Sequence, residues 1–222
     1  MSGDEAKEAL GIVARIGPVV LSAAVNPTGT VGTALRRAVG MLVADRDMTD
    51  PAMFAFAFNV CIDLARHCEA TLVTMDRVRK AALAETPVGL PAVGTVMDIV
   101  RLTLAMEARI VAYMTFKSRE EADAIAEQMT IAFTETAESA ADDLDAGTYM
   151  AITRLHGDVI QHLADRGRQL PRVITYNHPA VMPSLRMAQR AYADPSRHTE
   201  LINENHVVHP AFMPREGIML AV

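Results

Sequence analysis

Tryptophan is absent from this 222-residue chain, and aromatic residues make up only 5% of it. Methionine is plentiful at 14, and half of the residues are hydrophobic. A core of Ala, Leu, Ile, Val and Met with few aromatics reads as packed helices. Cysteine is nearly as scarce as tryptophan. Cys61 and Cys68 are seven apart on a predicted helix, roughly 10 Å along its axis, too far for a disulfide within one helix. With neither CxxC nor a zinc pattern, they read as two small buried hydrophobes. Long apolar runs are also missing. The best one, Ala9 to Val25, is interrupted by Arg15 and by Gly17-Pro18, whereas a membrane span needs roughly 20 apolar residues. Asp4 and Glu5 stand where a signal peptide would carry basic residues, so none is expected. Excess positive charge is lacking, because the formal net charge is −6. That argues against a large nucleic-acid surface and leaves room only for a small basic patch. No GxSxG, HExxH, P-loop or Rossmann fingerprint occurs, so neither an enzyme nor a cofactor is expected.

What is present is helical periodicity. Asp4 to Ile16 is amphipathic and is expected to break near Pro18. Asn26-Pro27-Thr28-Gly29 signals a turn. A helix follows over about Thr30 to Ala44, with Val31, Ala34, Leu35, Ala38, Val39 and Leu42 on one face. Thr49-Asp50-Pro51 then opens a long helix. Its seam of Phe54, Ala57, Cys61, Leu64, Cys68, Thr71, Met75, Val78 and Ala82 alternates threes and fours. Such spacing suits a neighbour at a shallow angle, in the same chain or in another subunit.

The two-proline loop Glu85 to Pro91 suggests a sub-boundary at 85–93. The helix expected over Gly94 to Phe116 is apolar on most sides, so it is central or lies in an interface. Ser118-Arg119-Glu120-Glu121 is a capping box that starts the next helix. Its inner face is Ala122, Ile125, Met129, Ala132 and Ala140, and its outer face is acidic. The partner helix, from about Thr148 to Gln169, turns Ile152, Leu155, Val159 and Leu163 inward, making an antiparallel hairpin. His156, Asp158 and His162 share that helix and read as a solvated or hydrogen-bonded face. His206 and His209 have no completing ligand, so no metal is expected. Arg36-Arg37, Arg77, Arg79, Lys80 and the cluster Arg166, Arg168 and Arg172 are local basic spots; the last cluster could touch DNA, an acidic partner or the acidic helix of a neighbour, and the net charge favours an acidic protein surface.

The pattern changes at Pro171. Arg172 to Tyr176 has strand composition, Asn177-His178-Pro179 is a turn, and Pro183 to Ala193 and Pro195 to Asn203 read as short helices. Ile218 to Val222 is a second strand. The expected fold is therefore mainly α: a helical bundle over 1–170, then a small βααβ module over 171–222.

The run from Leu170 carries Leu170-Pro171, Pro183 with Leu185, Tyr192, Asp194 with Arg197, Glu200-Leu201, Asn205, and His209-Pro210 with Phe212. In these positions it resembles the C-terminal half of the DNA circularisation proteins of Mu-like phages and prophages. The resemblance covers about Gly94 to Val222. It departs from that family in reading Pro214-Arg215-Glu216-Gly217 where Pro-Gly-Gly is usual, and in having nothing like the family's β-rich domain in residues 1–90. The same tail is similar to a LysM module. Asp194 would cap the second helix, with Pro195 at its first position. Asn205 would take a left-handed turn and bond backbone groups. Gly217 would free the backbone before the last strand.

The resemblance implies a structural component of a phage tail or baseplate, present in the virion and, during assembly, in the host cytoplasm. Its partners would be the hub, tube and tape-measure proteins, in a homo-oligomer of three or six copies. Leu185, Tyr192, Asp194, Arg197, Leu201, Asn205, His209, Pro210 and Phe212 would form the docking module. Two alternatives stand beside this one. DNA-end binding is disfavoured by the net charge, and peptidoglycan binding rests on the LysM likeness alone.

Overall fold

The computed structural model describes residues 3–45 and 50–221. Thr49, expected at the start of a helix, and Val222, expected at the end of a strand, lie outside the described residues. The chain is mainly helical, and no described helix is long and apolar enough to cross a membrane. It divides into two compact units. One comprises the chain up to Met114 together with Met129–Val159, and the other Thr115–Gln128 together with everything from Ile160 on.

In the first unit, α1 (Gly3–Ala23) runs straight through Pro18. The expected break does not occur, because Ile12, Val13, Ile16, Val20 and Ala23 are all buried and hold the helix on the bundle. That burial offsets the roughly 3 kcal/mol an interior proline costs. Gly17 faces α2 (Gly29–Ala44), where a Cβ would lie 2.7 Å from the Val43 side chain, so glycine lets the two helices approach. On α2 the buried face is Gly32, Leu35, Val39 and Leu42, while Val31 and Ala34, expected there too, are exposed.

The single long helix expected from Asp50-Pro51 to Ala82 is two helices, α3 (Pro51–His67) and α4 (Leu72–Leu83). Asp50 caps α3 by accepting from the Ala52 and Met53 amides. Glu69 takes a left-handed φ of 64° and ends it. The Ala70 amide then bonds the Ala65 carbonyl and the Glu69 amide the Arg66 carbonyl, a Schellman closure. Thr71 and Thr74 start α4 with a reciprocal capping box. Most of the seam still points inward: Phe54, Cys61, Cys68, Met75, Val78 and Ala82 are buried, and Thr71 is exposed. α4 meets α1 and α5 of the same unit, so the seam is filled within the chain.

Helix α5 (Leu90–Tyr113) begins earlier than expected, with Pro91 in its first turn. The Glu8 carboxylate accepts from the Val88 and Gly89 amides at 2.8 and 2.9 Å, standing in for a cap. Glu85 accepts from Arg15. The loop expected as a sub-boundary therefore lies inside the first unit and is tied to α1. α5 packs against α1, α3 and α4, as its apolar circumference requires.

Helices α6 (Arg119–Asp142) and α7 (Ala146–Gly167) each contribute to both units. Ser118 accepts from the Glu121 amide, and Glu121 reaches back to the Lys117 amide, one residue earlier than the usual capping box. In the first unit Phe133 stacks on His156; in the second, Gly167 faces Ala122. The early part of one helix thus meets the late part of the other, which is the antiparallel hairpin expected.

The remainder of the second unit is β1 (Val173–Asn177), α8 (Ser184–Tyr192), a 3₁₀ turn (Pro195–Arg197), α9 (His198–Glu204) and β2 (Glu216–Leu220). The strands pair antiparallel, with Val173 opposite Leu220 and Asn177 opposite Glu216.

Candidate functional site

The C-terminal part of the second unit gathers most of the residues singled out above. Its core is Tyr176, Met182, Met187, Ala188, Tyr192, Leu201, Met213 and Met219. Two aromatic rings among four elements leave the methionines to fill the irregular gaps. The buried Tyr192 hydroxyl accepts from the Leu220 amide at 3.2 Å, which ties α8 to β2. Burial, reinforced by Glu200, pushes this phenol up to about 12. Arg197 lies over the Tyr192 ring at 3.7 Å and bonds both Glu200 oxygens, at 2.7 and 3.1 Å. A cation on an aromatic face, held by a two-point carboxylate, locks the corner between α8 and α9.

Asp194 caps as expected, accepting from the Ser196 amide at 2.9 Å with Pro195 next, although the turn it caps is 3₁₀. The Ser196 hydrogen bonds hold its carboxyl below the usual aspartate range. Asn205 bonds backbone groups as expected but departs on the left-handed turn: its own backbone is ordinary, and its neighbour His206 carries the left-handed φ of 50°. The Asn205 side chain mimics a strand. It accepts from the Ile218 amide and donates to the Ile218 carbonyl, both at 2.8 Å, and also donates to the Leu201 carbonyl. Gly217 departs in the same way. A Cβ there would meet the Asn205 Oδ1 at 2.1 Å and the Tyr176 hydroxyl at 2.6 Å. Glycine is needed for space rather than for backbone freedom.

The His209-Pro210-Ala211-Phe212 segment folds back onto α8. The Pro210 carbonyl accepts from the Ser184 amide at 2.7 Å, and the Met182 carbonyl accepts from the Met213 amide at 3.0 Å. His209 Nδ1 lies 3.2 Å from the Ala211 amide, and its ring leans on Phe212. Of the nine residues, Tyr192, Asp194, Arg197, Leu201, Asn205 and Pro210 build the module. Leu185 is 55% exposed and Phe212 67% exposed. Val181 and Val208, also exposed, sit in the segments that meet at the Ser184–Pro210 contact.

Two features of the first unit had little or no sequence signal. Glu107, wholly buried on α5, accepts from Arg79 Nε at 3.0 Å. Arg79 also pairs with Asp76, which binds Lys80 at 2.6 Å. Arg79 is thus a buried ionic partner and no surface basic spot; Arg77 and Lys80 remain exposed. Burial pushes the Glu107 carboxyl up to about 7, against the pull of Arg79. Glu107 is one of two acids, with Asp98, on a helix that is apolar on most sides, and nothing in the sequence set it apart. The second feature is an apolar groove of about 570 Å³ between α2 and α3, lined by Met41, Met53, Phe56 and Val60 among others.

His156 is half-buried, stacked on Phe133 with Nε2 3.3 Å from the Thr130 hydroxyl. Asp158 is exposed. No cluster of three or more metal-ligating side chains occurs among the described residues. No protein-family model matches the chain, and no curated protein matches it.

Proposed function

We propose that this chain is a structural component of a bacteriophage tail or baseplate, an adapter joining hub, tube or tape-measure proteins to neighbouring parts. The reading rests on the run Leu170 to Pro214, which resembles the end of the Mu-like phage DNA circularisation proteins. The division of labour within that run supports it. Most of its motif residues are spent on internal closure, while Leu185 and Phe212 stay at the surface near the Ser184–Pro210 contact. Exposed apolar side chains on a rigid module are what docking to another protein uses. The strand–helix–helix–strand order supports a LysM-like character for the module, with the helical unit as its carrier. The chain acts in three or six copies, following the rotational symmetry of a tail. DNA-end binding is the weaker reading. The net charge is −6, and Arg79 is withdrawn into the core.

Quantitative mass spectrometry on purified particles of the encoding phage or prophage tests the proposal. The expected result is a fixed small copy number that persists in DNA-free tails. Absence from particles, or presence only in DNA-filled heads, overturns it.

A further inference from the structure

We propose that the open edge of β1 pairs with the same edge of a second copy of this chain, joining two small sheets into one antiparallel sheet. This inference goes beyond the tail-adapter reading and does not depend on it. The two edges of the sheet are closed differently. On β2, the Asn205 side chain accepts from the Ile218 amide and donates to the Ile218 carbonyl, and the Tyr192 hydroxyl accepts from the Leu220 amide. Those backbone groups therefore face away from β1. In an antiparallel ladder their opposite residues, Thr175 and Val173, must then face away from β2, and Asn177 with them. The bonds just past the strands agree. The His178 amide donates to the Arg215 carbonyl and the Ala221 amide to the Arg172 carbonyl, so the even-numbered residues bond across the sheet. On the outer edge of β1, the Glu120 carboxylate accepts from the Val173 amide at 2.9 Å. Among the described residues, nothing bonds the backbone of Thr175 or Asn177 on that side, and β2 is the one element running along β1. Val173–Asn177 has no charge, no proline and no bulge, the features that usually protect an open edge from another strand.

The ends of the open stretch select the second copy and its register. Glu120 closes the edge before Thr175. Pro179, the next outward position after Asn177, has no amide to give. A two-fold axis at Tyr176 sets Thr175 opposite the partner's Asn177, and does so twice. Each copy then brings two amides and two carbonyls, so four hydrogen bonds form and no open group is left over. A longer strand from elsewhere would bring backbone groups that Glu120 and Pro179 cannot meet. The side chains fit the same register. On one face the Thr175 hydroxyl stands across from the partner's Asn177 amide, a pair able to hydrogen-bond. On the other face Ile174, 44% exposed although it shares that face with the buried Tyr176, is covered by the partner's His178. The contact is short, below the ~800 Å² per partner of a standard interface, so the pair is weak and concentration-dependent.

Sedimentation velocity of the full chain over a concentration series, with residue-resolved amide exchange at both ends of the series, tests this. The expected result is a reversible monomer–dimer equilibrium in which the Thr175 and Asn177 amides exchange more slowly as dimer accumulates, while the Ile218 amide does not change. Thr175→Pro removes an amide that faces away from β2, a position where an edge strand tolerates proline. It should abolish the dimer and leave exchange at Ile218 and Leu220 as in the wild type. Thr175→Ser keeps the backbone groups and should keep the dimer. A chain that stays monomeric at every concentration overturns the proposal and leaves the edge to a strand of another protein. So does a dimer in which Thr175 and Asn177 exchange as fast as in the monomer, a result that needs no variant. Dimerisation that survives Thr175→Pro overturns it as well.

Discussion

Fully buried on α5, the Glu107 carboxyl is pushed up to about 7 by desolvation, from 4.5 in an open chain. Between those two pH values the folded protein holds a proton that the unfolded chain has released. Folding stability contributed by this group is therefore complete below about pH 4.5 and declines as pH rises through 7, by on the order of 3 kcal/mol. Glu107→Gln removes the titration. Urea denaturation of both proteins across this pH range should show the wild type losing stability relative to the variant as pH rises. Parallel profiles would contradict the assignment. The same scale holds a second prediction. Gly217→Ala must displace the Asn205 amide, which is bonded to Ile218 and Leu201, or the buried Tyr176 ring. It should destabilise the C-terminal module by about 1–3 kcal/mol, read as faster amide exchange at Ile218 and Leu220. Unchanged exchange there would show that the module yields without cost. Glu107 carries no signal of its own in the sequence, and Gly217 reads there as backbone freedom rather than as space. A glutamate in an apolar helix and a glycine before a strand are legible as types, but their neighbours come from distant parts of the chain.

Three helix starts were legible from their caps, whereas the stop at Glu69 and the starts of α4 and α5 were not. Asp50, Ser118 and Asp194 cap as their residue types predict, because an N-cap side chain bonds amides two or three residues away. The stops at Glu69, Leu144 and His206 use the left-handed position that glycine normally fills. Each is closed by two bonds, such as the Asp145 amide to the Ala140 carbonyl and the Leu144 amide to the Ala141 carbonyl at the end of α6. With no glycine to mark it, the break at Glu69 read as continuous helix. The same chemistry gives a prediction. Leu144 is almost wholly exposed and strained by its φ of 57°, so little is lost with its side chain. Leu144→Gly should stabilise the protein by about 0.5–1 kcal/mol, the left-handed relief exceeding the added freedom of the unfolded chain. A thermal melt that shifts downward would refute this. Pro18 makes the opposite case. A local stop signal was present, and burial of the α1 face overrode it.

At the scale of the whole molecule, charge decides between partners. At a net charge of −6, with Arg79 buried, the chain is poorly suited to neutralising a row of phosphates. Linear duplex DNA should therefore give no salt-sensitive gel shift with the full chain at physiological ionic strength. A shift that weakens steeply with salt would revive the DNA-end reading. Composition, helical periodicity and the turn residues around Pro171 were enough to establish a mainly helical chain ending in a strand–helix–helix–strand segment, because those signals act over one or two turns of backbone. Only the tertiary structure decided that α6 and α7 serve both compact units, that Arg79 leaves the surface for Glu107, and that α2 and α3 leave an apolar groove open. Each of these depends on which helix faces meet, and a helix face records that it is buried without recording its neighbour.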